Sequence, residues 1–462
     1  MEKSFYTALL KIAIPIALAQ FFAGLLGVVD TLMVSALGDN AVAAVGIASN
    51  VAFLLFMVNW GLLSGFGLFI AQYYGVKDYT SIHKVFIVVL AFASVIALVF
   101  FIGGFVFPDV IIGFYNNSSD TTNVAHVAFF GQSYLRLASI SYLFITFTQV
   151  MSMLMRNVED VVIPQTIQMG VVLINTLLNF FLIQGRWIAP ALGVQGAALA
   201  TVISSLIGLV TLLIYMMLKH SPVYQIQWSL YRSIDRTFIR HVLRRTLPVL
   251  ANETFWGLGM SMILIAFGFI SPRAVTSLTI ANQVMGLIWF ANGGLAAATA
   301  IMLGHRLGDN QLSQAKQYAS RFVRINLTVG LTVGMMLFLL ASPIASAYSS
   351  TSAAVQENVV WFLRIYAVYL PIKFMNALHI VGTLRAGGDT VYALISELLP
   401  LWGFAVPLVF ILSLFTSLPL ALILILVNIE EVIKLGLLTV RYRSGHWIKN
   451  LTDISPEKAL IA

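Results

Sequence analysis

With 462 residues, 60% of them hydrophobic and only 10% charged, the chain lacks the charge that coats a water-soluble core, where about 25% is usual. That balance argues against a soluble enzyme, a nucleic-acid binder and a disordered scaffold, and the net charge of +8 does not restore the second, because the basic residues lie almost wholly between apolar segments. The absence of Cys removes disulfides and thiolate metal sites.

A bilayer core about 30 Å thick is crossed by roughly 20 apolar residues in a helix that rises about 1.5 Å per residue. Twelve such windows run along the chain, at 8–36, 43–74, 83–107, 124–153, 161–186 and 193–218, then at 241–271, 278–305, 318–347, 352–384, 390–415 and 417–443. The first is too long for a cleaved leader and holds Pro15 and Asp30. No soluble domain is left over. Basic residues in alternate connections are lopsided, with twenty on one side and only Arg186 and Arg273 on the other, which places both termini in the cytoplasm.

The windows repeat as six and six. Lys11 to Pro15 resembles Arg244 to Pro248, and the same offset of 233 carries Ala41-Val42 onto Ala274-Val275, Ile47 to Asn50 onto Ile280 to Gln283, and Gly75 onto Gly308. Further on the offset becomes 229, where Arg156 to Asp160 matches Arg385 to Asp389. Six spans return the chain to the same face, so the halves are related by a pseudo-two-fold along the membrane normal, the parallel repeat of many transporters. The expected fold is all-α and integral to the membrane, with twelve transmembrane helices in two lobes at 1–218 and 241–443. A basic linker covers 219–240, and a cytoplasmic tail covers 444–462.

An ionised side chain at mid-bilayer costs about 2.5–3.5 kcal/mol on insertion scales, so those that remain face protein or a wet cavity. In the first half, Asp30 stands eight residues before Gly38, about 12 Å below the outer surface. Asn175 and Asn179 share one face of the fifth span, and Thr201 sits at a similar depth in the sixth. One carboxylate among amide and hydroxyl oxygens can hold Na⁺ or exchange a proton. The amides and hydroxyl can equally satisfy one another between packed helices.

The second half places its acids lower, at Glu253, Glu397, Glu430 and Glu431. Glu253 corresponds to Gln20 and Glu397 to Gln168 in the repeat, so polarity is kept while charge is added. Glu253 and Glu397 are candidate functional acids, whereas Glu430 and Lys434 stand at i and i+4 and are expected to pair. Arg136, Arg364 and Lys373 are expected to pair or to reach the interface with their tips. His379 is expected to be a hydrogen-bonded packing residue. Trp256, Gln20 and Gln283 are candidates to line a substrate cavity. There is no phosphate-binding G-x-x-x-x-G-K-[ST] loop and no H-E-x-x-H, so energy for transport must come from an ion gradient or from the substrate's own.

The residues together resemble the multidrug and toxic compound extrusion (MATE) transporters of bacterial type, over nearly the whole chain. The resemblance rests on Pro15, Val28 to Met33, Gly193 to Thr201, Asn252 to Trp256 and Leu384 to Thr390. It implies export of cationic or amphipathic compounds, in exchange for H⁺ or Na⁺, through a V-shaped cavity between two lobes. It also implies a coupling role for Asp30 with Asn175, Asn179 and Thr201 around it, and a functional role for Glu253. A bacterial inner-membrane location, a monomer and no cofactor beyond the coupling ion belong to the same expectation, with membrane lipid as the surrounding partner and no nucleic acid. Some members carry Asp where this chain has Asn179, and sodium-coupled members place an acid on the tenth span, where this chain has only Glu357 near the outer end. Two rivals are a lipid-linked glycan flippase, which would need a cationic cavity, and a polytopic lipid-modifying enzyme, which would need acid/base groups clustered at one interface.

Overall fold

The computed structural model describes residues 2–35, 37, 39–115, 121–185, 190–348 and 352–452, with the side chains of 25–32, Asp30 among them, outside that description. Long helices account for nearly all of it: α1 (Glu2–Ser35), α2 (Asp39–Gly75), α3 (Tyr79–Val106), the short α4 (Pro108–Tyr115), α5 (Thr121–Asn157), α6 (Val162–Leu182) and α7 (Val194–Leu218). A 3₁₀ turn at Trp228–Ser233 leads into α8 (Arg236–Ile270), α9 (Pro272–Gly308), α10 (Leu312–Ser346) and α11 (Ala353–Ala377). The last of these continues as a π-helical stretch, Leu378–Leu384; α12 (Thr390–Pro400), a second π stretch at Leu401–Ala405, α13 (Val406–Phe415) and α14 (Leu420–Ser444) complete the chain.

Among the described residues eleven helices are long and apolar enough to cross a bilayer, counting α11 with its π stretch and α12 with α13 as one each. Adding α14, whose length suffices but which carries Glu430, Glu431 and Lys434 within five residues, gives the twelve expected spans. The all-helical, multi-pass architecture expected from sequence is therefore the one observed. Helix α4 has no counterpart among those spans, because eight residues are too few to register as a crossing. Pro15 and Pro248, equivalent in the repeat, both lie inside continuous helices. In a membrane bundle a freed carbonyl can be satisfied by local adjustment, so the helix survives the missing N–H.

Contacts divide the chain into two compact units, one formed by residues 1–13, 71–78 and 240–462 and the other by residues 14–70 and 79–239. In the first, α10 meets α11 along Gly330 and Gly334. A Cβ at Gly334 would stand 2.7 Å from the Ala367 carbonyl oxygen, so only glycine lets the two backbones come this close. Phe267, Phe362, Leu363 and Leu401 fill the core beside that seam. The first turns of α1 belong here too, with the Phe5 ring edge-on to Tyr318 and Phe322. Gln72, wholly buried at the end of α2, donates to the carbonyls of Ala386 (2.6 Å) and Lys449 (3.2 Å) and accepts from the Leu451 amide (2.5 Å). In the second unit, α5 packs against α3 and α7, and α7 against α6, while Leu135 and Tyr142 of α5 share a core with Ile112 of α4.

The repeat is visible in the backbone of each unit. Glu159 (φ 65°) and Gly388 (φ 70°), which correspond at the offset of 229, both take the left-handed conformation just after a long helix. The aspartate that follows each is an anchor. Asp160 accepts from Tyr224 (2.6 Å), Tyr215 (3.1 Å) and Lys219 (2.6 Å); Asp389 accepts from both Nε and Nη2 of Arg441 (2.6 and 3.0 Å).

Candidate functional site: two buried polar clusters

In α6 the amides of Asn175 and Asn179 are one turn apart, and both are buried, at 3% and 1% exposure. The Asn179 amide donates to Asn175 Oδ1 (3.1 Å), and Asn175 donates to Thr201 Oγ1 and Ser204 Oγ of α7 (3.3 Å each). Thr201 in turn donates to the Ala197 carbonyl one turn earlier (3.1 Å). The structure thus brings together three of the four residues expected at this depth, and adds Ser204. The fourth, Asp30, has its side chain outside the described residues; its place in sequence is one turn before Met33 of α1. Met33 lines a small cleft of about 80 Å³ with Asn179, Phe180, Ile183 and Gln184. Neutral oxygens of this kind suit a hard cation or a protonated acid, since both are satisfied without a second charge.

The second cluster lies among α8, α11, α12 and α14. Arg385 Nη2 meets Glu253 Oε1 at 2.5 Å, with the two side chains only 3% and 12% exposed. Lys373 meets Glu431 at 2.8 Å, and Asn376 adds a bond to the other Glu431 oxygen at 2.7 Å. Lys434 meets Glu430 at 2.7 Å at the expected i, i+4 spacing. Glu397 differs, for its direct partner is the Asn252 amide, which donates to Oε2 at 2.5 Å. Adjacent residues on a helix point about 100° apart, so Asn252 turns to α12 while its neighbour Glu253 turns to Arg385.

Sequence reasoning found all four acids and missed Arg385, Asn252 and Asn376 as their partners. Arg385 and Asn252 both sit in the stretches that carried the family resemblance, but a contact spanning 132 or 145 residues leaves no periodic trace. Of the other intramembrane residues, His379 takes the hydrogen-bonded packing role expected of it. It is buried in the π stretch of α11, bonded to Thr383 Oγ1 at 3.2 Å, with its ring against Tyr442. Arg364 lies over the rings of Phe338 and Trp361, and Arg136 is exposed. Of the proposed cavity residues, Trp256 packs partly against the core of its unit, Gln283 of α9 is exposed, and Gln20 is half-buried in the other unit.

A family model described as MatE matches residues 15–181 and 249–411, the two halves of the repeat. The chain is 26% identical over 443 residues to the probable multidrug resistance protein NorM of Bradyrhizobium diazoefficiens, covering 94% of this chain and 92% of that one. It is 24% identical over 383 residues to the probable multidrug resistance protein YoeA of Bacillus subtilis, covering 83% and 81%. Its fold is similar to that of MATE crystallised with MaL6, at a TM-score of 0.84 and 19% identity over 95% and 96% of the two chains. A MOP superfamily transporter from Pyrococcus furiosus matches with the same TM-score, identity and coverage. With both halves matched by the family model, the chain belongs to the MatE family of membrane transporters.

Proposed function

We propose that the chain is a secondary antiporter that exports cationic or amphipathic organic compounds in exchange for H⁺ or, as the weaker choice, Na⁺. The observation that carries this reading is the buried amide and hydroxyl cluster of Asn175, Asn179, Thr201 and Ser204, beside a cleft that Met33 of the Asp30-bearing helix lines. A buried neutral polar cluster on membrane-spanning helices is costly in lipid and has a use where an ion must shed its water. The names of the relatives support drug-like cargo.

In this reading an ion entering from outside loads Asp30, α1 rearranges near Pro15, and substrate leaves outward. Six-helix lobes at 1–218 and 241–443 alternate their access, with Gln20, Trp256 and Gln283 lining the cavity and Glu253 and Glu397 serving as the second lobe's acids. The excess of Lys and Arg on one side supports both termini in the cytoplasm, and the reading adds a bacterial inner-membrane location and a monomer.

The test is dye-cation transport by purified protein in liposomes, with a pH gradient and a Na⁺ gradient imposed separately, beside Asp30→Asn. The expected result is transport driven by the pH gradient and lost in the variant. Gradient-driven transport that survives Asp30→Asn removes Asp30 from coupling, and an absence of transport under either gradient removes the antiport reading.

A further inference from the structure

We propose that Glu397 is the seat of an exchangeable proton, and that the Asn252 amide is its two-state partner. This deepens the antiport reading and rests on it only for its use, because proton binding is measured without transport. The argument begins with a census of the cluster in the unit that holds α8, α11, α12 and α14. Four carboxylates face three cations: Glu253 has Arg385, Glu431 has Lys373 and Glu430 has Lys434. Glu397 has an amide instead. The charged groups that face it are Lys434 from α14, Glu253 from α8 and Arg385 from the end of α11. Both cations already hold an acid of their own. With all groups ionised the cluster carries one negative charge too many for an apolar surround, and the proton that balances it goes to the acid with no cation of its own.

Asn252 makes the arrangement serve both states. Its Nδ2 donates to Glu397 Oε2, which satisfies a carboxylate. Its Oδ1 is buried and has no hydrogen-bond donor among the described residues. A half-turn of the amide brings that oxygen to the position of Nδ2, where it accepts from an O–H on Glu397 Oε2. The proton comes from water and returns to it, and no other bond changes. One side chain is thereby matched to both protonation states of its neighbour, which an apolar residue at this position would not be.

The pair also sits where a change of hydrogen bonding reaches the backbone. Along the same seam Trp402 Nε1 donates to the Phe255 carbonyl (3.1 Å), and a Cβ at Gly259 would stand 2.5 Å from Leu401 Cδ2. Leu401 and Trp402 open the π stretch that follows Glu397 by four residues. A π insertion interrupts the regular ladder of the helix at this point, a feature frequent at functional sites.

The experiment is infrared spectroscopy of the purified, full-length protein in liposomes as pH is varied, reading the carbonyl stretch of protonated carboxyl groups without substrate. Glu397→Gln, which keeps an acceptor for Asn252, should lose one carboxyl's share of that band near neutral pH, and Glu357→Gln, which removes an exposed acid outside the cluster, should keep it. A band that persists in Glu397→Gln, is lost equally in both variants, or is absent from the wild type overturns the proposal. Asn252→Ala supplies a second reading. A bond to a charged acceptor is stronger than one to a neutral one, so its removal should move the band's midpoint upward by about one pH unit. An unmoved midpoint overturns the partnership. A protein that shows the Glu397 band but moves no dye cation would fail as an antiporter while keeping its proton site.

Discussion

Arg385→Met isolates one buried ion pair of the site. The wild-type guanidinium and the Glu253 carboxylate meet at 2.5 Å with 3% and 12% side-chain exposure. Two unit charges whose centres are about 4 Å apart attract by about 4 kcal/mol at the effective dielectric of about 20 that suits protein sites. Methionine fills most of the volume and removes the charge, leaving Glu253 with its desolvation cost and no cation. Breaking a buried pair from one side costs about 3–5 kcal/mol, in line with the Coulomb figure. Unfolding of the purified protein by SDS in mixed micelles, followed by helicity, would show this loss. The double variant Arg385→Met with Glu253→Leu also removes the stranded charge and should recover at least about half of it, because apolar replacement of a whole buried pair is often neutral. A single variant within about 1 kcal/mol of wild type would refute the reasoning, since Glu253 would then have water or another cation at hand.

Three further outcomes follow from local geometry. Gln72→Leu, which strips the Leu451 amide of its acceptor and the Ala386 and Lys449 carbonyls of a donor, should cost about 2–3 kcal/mol in the same unfolding assay. Glu159→Gly should stabilise by about 0.5–1 kcal/mol, the relief of a left-handed non-glycine residue less the added freedom of the unfolded chain; a loss of stability would mean that the Glu159 side chain outweighs its backbone strain. For Lys219, burial pulls the ammonium down, but its bonds to Asp160 and Tyr215 outweigh this and hold it above the usual lysine range. A raised folded value stabilises fully below the unfolded value of about 10.4 and fades as pH rises through the folded one. Lys219→Met should therefore be less stable than wild type at neutral pH and converge with it in strong alkali, by a small amount because the lysine is exposed.

Much of this was legible because membrane helices are long, apolar and interrupted by charge. The spans, the six-plus-six repeat and the pairing of Glu430 with Lys434 all depend on local spacing, and each is found. Asn175, Asn179 and Thr201 were legible for the same reason, since helical periodicity and depth from the span ends put them at one level. Ser204 escaped notice although it stands only three residues past Thr201, because a serine in a membrane helix commonly bonds to its own backbone, as it also does here to the Thr201 carbonyl. The partners of the acids were not legible. Which of α11, α12 or α14 an acid on α8 faces depends on helix packing, and the choice of Arg385 for Glu253 and Glu397 for Asn252 follows from tertiary contact alone. The π stretches were equally hidden, as one inserted residue leaves composition unchanged.

The measurement that bears most directly on coupled transport is the reverse flux. Liposomes containing the purified protein are loaded with a dye cation, diluted into dye-free medium with no ion gradient, and followed with an internal pH indicator and, separately, an internal Na⁺ indicator. Antiport with H⁺ predicts that dye leaving down its own gradient draws protons inward, that the internal pH falls, and that Asp30→Asn abolishes the change. Dye efflux at the wild-type rate with no movement of H⁺ or Na⁺ would contradict the account, because the protein would then be a uniporter and its buried acids would have no part in transport.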